Sequence, residues 1–237
     1  MLIYGIHACQ NAIRMKKHDI KMIFVQKDKP IPSWISDFPK SKVTYLSSIE
    51  LKNMLPKSAV FQGIAIEIDD VKYADITDLI SAPKNCVIAI LDNVTDPHNF
   101  GAIIRTAAAF GIKGIVVTEK SSCKITGTVV KTASGGIEYV SIYVVKNLSQ
   151  TIKTLKEYGF WIVSFCERGD KFINEVDLKG KTALVLGAEG DGIRRLQKEQ
   201  SDFIVKLPTK PFFPTLNVSV SAGIAFFEAA RQNNFNL

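Results

Sequence analysis

The chain has 237 residues, 46% of them hydrophobic, and carries a net charge of +7 with an isoelectric point near 9.1. This length fits one large domain or two modest ones around a buried core. The excess of positive charge is mild and spread along the chain, so the sequence has no basic tail. Such a charge is compatible with a nucleic-acid partner but does not by itself define one.

The cysteines favour neither a metal site nor a disulfide framework. Cys9, Cys86, Cys123 and Cys166 form no CxxC pair, and the three histidines do not group with them. We therefore expect no metal, and thiols that stay reduced. No run approaches 18 apolar residues, and the first residues lack the pattern of a signal peptide. The sequence thus predicts a soluble, cytoplasmic protein.

The first 70 residues predict a small α/β unit. Their pattern indicates helices separated by short apolar strands, and residues 71–84, rich in aspartate, predict a linker with a short helix. Ser47 or Ser48 is expected to cap the short amphipathic helix 48–55. The expected helices are 5–18, a short one near 35–38, and 48–55; the expected strands are 21–25, 43–46 and 64–68.

A second α/β unit is expected over residues 85–237. Continuous apolar runs such as residues 86–91 are typical of parallel strands with helices on both faces. These runs alternate with helical segments, which predicts a doubly wound sheet. The expected strands are 86–91, 114–117, 161–165, 182–186 and 203–207, and the expected helices are 99–110, 147–158, 192–199 and 218–232.

Three polar loops each follow a strand of this sheet. Ligands of doubly wound sheets bind at the carboxyl ends of the strands, so we expect one site built from all three loops. The loops are Asp-Asn-Val-Thr-Asp-Pro-His-Asn at 92–99, Gly-Ala-Glu-Gly-Asp-Gly at 187–192, and Leu-Pro-Thr-Lys-Pro-Phe-Phe-Pro-Thr-Leu-Asn at 207–217.

In the first loop, Asn99 is predicted to cap a helix that ends at Gly111. Arg105 falls outside the apolar stripe of that helix, and Gly101, one turn earlier, is expected to leave space over which Arg105 passes. A guanidinium beside a helix N-terminus suits phosphate or sugar oxygens. The alternative interpretation is that Arg105 is an ordinary solvent-exposed arginine and that Asn99 only caps the helix. His98 is interpreted as a turn residue rather than a base.

The second loop has the spacing G-x-x-G-x-G and carries two carboxylates, Glu189 and Asp191. These carboxylates would repel a pyrophosphate, so the pattern argues against a site for a dinucleotide such as NAD. It also argues against a P-loop, because the lysine of that motif is absent. It favours a ligand with hydroxyl, amine or positively charged groups. The alternative interpretation is that the glycines serve only to form a tight turn and that the loop binds no ligand.

The third loop is stiffened by prolines, which exclude regular structure. Thr215 and Asn217 are candidates to cap the final helix. That helix is apolar on two faces, so we expect one face to pack on the sheet and the other on a partner subunit. The first face comprises Val218, Ala222, Ala225, Phe226 and Ala229; the second comprises Val220, Ile224 and Phe227.

The three loops together resemble the signature motifs of the SpoU/TrmH family, which are S-adenosylmethionine-dependent RNA 2′-O-ribose methyltransferases of the SPOUT class. The opening residues also resemble the small ribosomal-protein-like substrate-binding domain of the RlmB-type subgroup. The segments that carry the resemblance are Leu91–Arg105, Leu186–Ile193 and Leu216–Gly223, with Ile3–Ala8 and Phe61–Ile64.

The resemblance implies an α/β fold in which a knotted (trefoil) SPOUT domain with a parallel sheet, residues 85–237, follows a substrate-binding domain, residues 1–70, and the linker 71–84. It implies a homodimer, S-adenosylmethionine as cofactor and no metal. The implied substrate is the ribose 2′-hydroxyl of a guanosine in large-subunit ribosomal RNA. The alternatives are a tRNA 2′-O-methyltransferase and a non-catalytic RNA-binding module with the same fold.

Motif matching also assigns residues. The family pattern usually has Ser where Thr215 stands, which keeps a hydroxyl, and Gly-rich residues where residues 211–214 are Pro-Phe-Phe-Pro, which stiffens the loop and adds aromatic surface. The family's proposed base falls on Arg105, for which a clamping role is equally open because arginine holds its proton. The catalytic positions fall on Arg105, Asn99, Glu189, Thr215 and Asn217, and the cofactor positions on Gly187, Gly192, Leu207 and Leu216.

Overall fold

A small N-terminal unit contains a mixed four-stranded sheet. The computed structural model describes residues 1–237 except 16–18, 57–58, 60 and 188–193. The strand order is β1-β4-β2-β3, in which β2 and β3 are parallel and the other pairs antiparallel. The elements are β1 (Leu2–Tyr4), α1 (Ile6–Met15), β2 (Ile20–Gln26), β3 (Val43–Leu46), α2 (Ser48–Asn53) and β4 (Ile64–Ile68).

Most of this unit matches the sequence prediction. The three predicted strands are confirmed as β2, β3 and β4, whereas β1 was not predicted. The predicted cap at Ser47 is confirmed, since the Glu50 N–H donates to the Ser47 hydroxyl at 3.2 Å and the Ser47 N–H donates to the Glu50 carboxylate at 2.7 Å. This reciprocal pair satisfies two backbone donors that a helix start leaves open.

The large unit is built on a seven-stranded, fully parallel sheet with the order β7-β6-β5-β10-β8-β11-β9. The five predicted strands are confirmed, and β7, β9 and the helix α4 are additional. The elements are β5 (Cys86–Asp92), α3 (Pro97–Ala109), β6 (Gly114–Thr118), α4 (Gly127–Ala133), β7 (Ser141–Val145), α5 (Leu148–Glu157), β8 (Trp161–Phe165), β9 (Lys171–Phe172), β10 (Lys181–Gly187), α6 (Arg195–Glu199), β11 (Phe203–Lys206) and α7 (Val218–Gln232).

Both faces of the parallel sheet are covered. In β5 all seven residues are buried, with Val87, Ala89 and Leu91 facing one core and Ile88 and Ile90 the other. Side chains alternate along a strand, so a strand covered on both faces is apolar nearly throughout, and in β5 only the last residue, Asp92, is polar. The first core includes residues of α3, α4 and α7, and the second includes α5 and the 3-10 turn Ile76–Ser81.

The helix α4 joins the two units. The Tyr4 hydroxyl of β1 lies 3.4 Å from that of Thr128, and the Lys131 ammonium lies 5.4 Å from the centre of the Tyr4 ring. A Cβ on Gly127 would lie 2.6 Å from the carbonyl oxygen of Leu2, so only glycine permits this approach. The same helix packs against α3, which places the small unit next to the helix of the first loop.

The strand order brings the three loops to one edge. Because all seven strands are parallel, the loops after β5, β10 and β11 leave from the same side of the sheet. The strand β10 lies directly beside β5, with Gly187 paired to Asp92, while β8 separates β10 from β11. Within the described ranges, no helix is long and apolar enough to cross a membrane.

Candidate active site

The first loop ends at a helix capped by Asp96. The Asp96 carboxylate accepts the N–H groups of His98 at 3.2 Å and Asn99 at 3.0 Å. Pro97 occupies the first helical position, where its fixed φ fits and its missing N–H costs nothing. The prediction that Asn99 caps this helix is therefore wrong, because the Asp-Pro step begins the helix three residues earlier. This leaves the Asn99 side chain available for a contact outside the helix.

Asn217 makes that contact. Its Nδ2 donates to Asn99 Oδ1 at 3.1 Å, and its Oδ1 accepts the Ser219 N–H at 2.9 Å, which caps α7. The prediction that Thr215 or Asn217 caps the final helix is thus confirmed for Asn217. Two side chains separated by 118 positions meet across the first and third loops. The structure therefore brings together two of the residues that the sequence assigned to catalysis.

The second loop begins and ends beside a buried carboxylate. Gly187 ends β10 level with Asp92, whose side chain is fully buried and lies 2.8 Å from the Arg194 guanidinium. The Arg194 N–H also donates to that carboxylate at 3.4 Å, and its guanidinium donates to the Ser121 hydroxyl at 3.3 Å. Gly187 and Arg194, which flank the segment 188–193, therefore both lie next to Asp92. Glu189 and Gly192 themselves lie outside the described residues.

Asp92 and Arg194 are positions that sequence reasoning missed. An available signal was a carboxylate directly after the apolar run of residues 86–91. A charged group fully buried at a strand end requires a partner. Its partner, Arg194, is 102 residues away, and only the tertiary structure identifies it.

The third loop supplies half-buried apolar side chains. Leu207 follows β11 and packs against the larger core, and Leu216 is also half-buried, whereas Thr215 is exposed. Gly187 adds backbone without a side chain at the end of β10. Apolar walls with backbone polar groups suit a nucleoside-like ligand. The chemistry of Gly187, Leu207 and Leu216 is thus compatible with the cofactor that the sequence motifs imply.

Arg105 lies further along α3 than Asn99, about 9 Å along the helix axis. It is exposed, and it lines an open pocket of about 280 Å³. A Cβ on Gly136 would lie 3.0 Å from the Arg105 Cα, so this glycine lets the pocket wall approach α3 closely. The remaining lining residues are Asn11, Ala108, Ala109, Ala133, Ser134, Gly135 and Tyr139.

The expectation that Gly101 leaves space for Arg105 is wrong. A Cβ at Gly101 would lie 2.5 Å from Thr132 Cβ and 2.8 Å from the Val129 carbonyl oxygen, both in α4. The missing side chain is needed for close packing of two helices rather than for an open channel. Arg105 instead lines a pocket with the last residue of α4, Ala133, and the segment 134–139 that follows it.

The small unit contributes to the Arg105 pocket. Asn11 Nδ2 donates to the Ser134 carbonyl oxygen at 3.2 Å, and Gly135, at φ +90°, sits where any Cβ would overlap the Asn11 side chain. Asn11 lies in α1 and was not predicted as a site residue, because its neighbours become apparent only when the two units dock. The pocket therefore has walls from both units.

Two titratable groups near these elements are tuned by their surroundings. Burial raises the pKa of the Cys123 thiol, and the nearby Asp96 carboxylate raises it further. Burial lowers the pKa of Lys131, which lies beside Tyr4. Both effects on Cys123 favour the thiol over the nucleophilic thiolate. Among the residues with described positions, no three His, Cys, Asp or Glu side chains form a group that could hold a metal ion.

The second apolar face of α7 is exposed. Val220, Ile224 and Phe227 retain 50%, 39% and 45% of their surface. Phe227 also contacts Phe110 and Phe235, with ring centres 5.8 Å and 6.0 Å apart. The first face is buried as predicted, against α3 and β10. The exposed face, which we call the α7 patch, joins side chains from α3, α7 and the C-terminal residues.

The parallel sheet and its loops define a doubly wound α/β protein, a class of fold whose ligands bind at the carboxyl edge of the sheet. The chain belongs to the SpoU rRNA methylase family, whose model matches residues 86–227. A second model, for the substrate-binding domain of RNA 2′-O ribose methyltransferases, matches residues 2–74. The family resemblance carried by the three motifs is therefore confirmed.

Similar proteins support this assignment along nearly the whole chain. The 23S rRNA (guanosine-2′-O-)-methyltransferase RlmB of Coxiella burnetii is 36% identical over 97% of this chain and 95% of its own. The protein of the same name from Escherichia coli K12 is 35% identical, over 98% and 99%.

Solved structures with low sequence identity show the same fold. The SpoU methyltransferase AviRb from Streptomyces viridochromogenes, in complex with AdoMet, superposes with a TM-score of 0.84 at 18% identity and covers 99% of this chain and 90% of its own. The AdoMet-bound rRNA methyltransferase from Sinorhizobium meliloti has a TM-score of 0.82 at 21% identity, over 97% and 86%. The predicted fold class, a parallel α/β domain preceded by a substrate-binding unit, is confirmed.

Proposed function

We propose that this chain transfers a methyl group from S-adenosylmethionine to the ribose 2′-hydroxyl of a guanosine in large-subunit ribosomal RNA. The observation that carries the proposal is the hydrogen bond from Asn217 to Asn99, which joins the first and third motifs at the edge of the sheet where the second motif begins. Membership of the SpoU family and the full-length likeness to RlmB proteins support the choice of substrate.

Gly187, Leu207 and Leu216 would hold the cofactor, together with Gly192. S-adenosylmethionine supplies an electrophilic methyl group whose leaving group is a neutral thioether. The protein therefore has no departing charge to stabilise. Its tasks are to orient the 2′-hydroxyl and to remove its proton.

The amides of Asn99 and Asn217 are fixed by each other and by the cap of α7, so they present polar atoms in a set orientation. We propose that they position the ribose, with Glu189 and Thr215 completing the site. We propose that Arg105, which lines the pocket shared with Asn11, acts on the same ribose. As a base, Arg105 would first lose its own proton, with help from an RNA phosphate, and then accept the hydroxyl proton as a neutral guanidine. As a clamp, it would remain a guanidinium that donates hydrogen bonds to the hydroxyl and the phosphate.

The deciding experiment is methyl transfer from labelled S-adenosylmethionine to total RNA from cells that lack the modification, followed by mapping of the methylated nucleotide. Label in 23S RNA at a guanosine 2′-oxygen is expected. Label confined to tRNA would establish the alternative substrate. Cofactor binding with no transfer to any RNA would favour the non-catalytic RNA-binding alternative.

Arg105→Ala tests the residue assignment. We expect transfer to be abolished while the affinity for S-adenosylmethionine, measured by calorimetry, stays unchanged, because Arg105 lies in the pocket between the units. Arg105→Lys keeps the positive charge but loses the planar fork, so it separates charge from geometry. Turnover near that of the unmodified protein in Arg105→Ala would refute the role of Arg105.

We infer that residues 1–70 bind RNA, 71–84 link the domains, and 85–237 form the catalytic domain. In the first domain, Arg14 and Lys21 are exposed, while Lys16 and Lys17 lie outside the described residues. A trefoil knot in the second domain is supported by the insertion of β10 between β5 and β8 and by the return of α7 onto α3 and β10. We also propose a cytoplasmic location, which a ribosomal RNA substrate would support.

We also infer that the α7 patch is the interface of a homodimer. Its apolar side chains are half-exposed in one chain and come from three segments, which suits burial against a second copy. Phe227→Asp is expected to shift the protein from dimer to monomer in sedimentation equilibrium at micromolar concentration. Ile80→Asp, at a 53% exposed position outside the patch, is the matched control and should remain a dimer. An unmodified protein that sediments as a monomer would contradict the inference.

A further inference from the structure

The third loop exposes two adjacent phenylalanines. Phe212 retains 86% of its surface and Phe213 retains 67%. Two neighbouring rings left in water are costly, because each carries a large apolar surface whose burial is favourable. Isolated exposed apolar side chains are ordinary, but a pair at the tip of a loop that also belongs to the candidate active site indicates a partner.

The backbone of this loop is fixed before any partner arrives. The Phe213 N–H donates to the Lys210 carbonyl oxygen at 2.9 Å, which closes a turn with Pro211 at its second position. The Thr209 hydroxyl donates to the Pro214 carbonyl oxygen at 3.3 Å, which closes the base of the loop. Pro at the second position sets the backbone angle that such a turn requires. A rigid loop that presents aromatic rings loses little conformational entropy on binding.

The rings lie close to the proposed site along the chain. Phe213 is four residues from Asn217, and four residues span at most about 14 Å. A ribose held at the Asn217–Asn99 pair would therefore have its neighbouring nucleotides within reach of these rings. The aromatic pair is thus placed to contact RNA next to the target rather than at a distant position.

The charge of the loop suits RNA. Between residues 206 and 217 the charged side chains are Lys206 and Lys210, and no acid is present. The Lys206 ammonium lies 5.0 Å from the centre of the Phe172 ring, which is 38% exposed, so the basic and aromatic surface continues to β9. Aromatic rings between lysines are the usual surface for single-stranded nucleic acid, where bases stack and phosphates pair with ammonium groups.

We propose that Phe212 and Phe213 form a stacking platform for an unpaired base that flanks the methylated nucleotide, with Lys210 facing the RNA backbone. This rests on the proposed function and specifies how its substrate is held. RNA is favoured over a second copy at this loop because the loop carries Lys206 and Lys210 and no acid, so two copies of it would repel each other whereas phosphate is attracted. The α7 patch already offers a separate apolar surface for a second copy.

The test measures RNA affinity directly, so it does not depend on turnover. The full chain and its variants are titrated into a labelled RNA hairpin that carries the target in an unpaired loop, with fluorescence anisotropy as the readout. Phe212→Ala/Phe213→Ala should bind this RNA about 5- to 150-fold more weakly for each base that loses its stack. Its affinity for S-adenosylmethionine and its dimeric state should be unchanged.

Conservative variants separate stacking from simple apolar burial. Phe212→Tyr/Phe213→Tyr keeps the aromatic rings and should retain the affinity for RNA. Phe212→Leu/Phe213→Leu keeps only the apolar surface and should lose as much RNA affinity as the alanine pair. Ile80→Ala is the matched control, exposed by 53% beside Lys181 at the amino end of the sheet. It should bind RNA like the unmodified protein.

Several results would overturn the platform. One is RNA binding by the alanine pair that equals that of the unmodified protein. Another is full affinity in the leucine pair, and a third is a shift to monomer in sedimentation, which would assign the rings to a subunit contact. A chain that binds RNA through these rings but never methylates it would refute the proposed function and leave the platform standing.

Discussion

The two roles of Asn217 can be separated by substitution. Its Oδ1 caps α7 by accepting the Ser219 N–H, and its Nδ2 holds Asn99. A helix cap is a structural role that explains the residue without any catalysis. The variants Asn217→Ala and Asn217→Ser differ in this respect, because serine is among the best N-cap residues but has no amide group.

The expected changes in stability follow from these two bonds. Loss of an N-cap costs about 1 kcal/mol, and loss of the exposed bond to Asn99 costs about 0.5 kcal/mol. Asn217→Ala should therefore lower the melting temperature by about 3–6 °C for a chain of this size. Asn217→Ser should lower it by about 1–2 °C, because the cap survives.

Methyl transfer should respond differently from stability. Both variants lose the amide that positions the ribose, so both should lose about 100-fold in turnover at saturating RNA, the scale of a reacting group displaced by about 1 Å. Turnover is measured well below the melting temperatures of both variants, with melting followed by circular dichroism. The more stable serine variant should be no more active than the alanine variant.

A matched control removes an asparagine cap elsewhere. Asn147 caps α5 by accepting the Gln150 N–H at 3.1 Å, and α5 begins after the edge strand β7. Asn147→Ala should cost about 1 kcal/mol of stability and leave methyl transfer unchanged. If Asn217→Ser transfers methyl groups within a few-fold of the unmodified protein, Asn217 is only a cap and the reasoning fails.

Two further predictions concern the surroundings of the site. Asp92→Ala removes the carboxylate beside both ends of the second loop, so we expect weaker binding of S-adenosylmethionine by calorimetry. The free energy of unfolding should fall by about 1–2 kcal/mol. This is less than the usual cost of breaking a buried ion pair, because Arg194 is half-exposed. Arg195→Ala, which breaks an exposed pair with Glu199, is the control, and unaltered cofactor affinity in Asp92→Ala would contradict the assignment. Gly101→Ala should lower stability by about 1–2 kcal/mol, because overlap with α4 outweighs the better helix propensity of alanine; a raised melting temperature would show that the helices are not in close contact there.

Local chemistry explains why much of this fold was predictable. The apolar run of β5 indicates a strand buried on both faces, and the structure shows alternate residues in two cores. The Ser47 cap and the glycine at the end of α3 follow from backbone groups that each helix leaves unpaired. The polar loops after β5, β10 and β11 share one edge because parallel strands leave no other arrangement.

Other features depended on contacts that no local pattern contains. The helix α4 has the sequence Gly-Thr-Val-Val-Lys-Thr-Ala, in which β-branched residues disfavour a helix. It forms because Val129, Val130 and Ala133 are buried in the core, and most helical stability in proteins comes from such packing. Gly101 was misinterpreted for the same reason, since the neighbour that requires it was itself not predicted.

The sequence by itself determined the class of fold and the candidate site residues, because motifs and apolar runs are local properties of the chain. Tertiary structure alone decided which of them meet. It paired Asn217 with Asn99 and Asp92 with Arg194 across more than a hundred residues each. It also brought Asn11 of the small unit to the pocket of Arg105. Such pairings arise only when the sheet register is set and the two units dock.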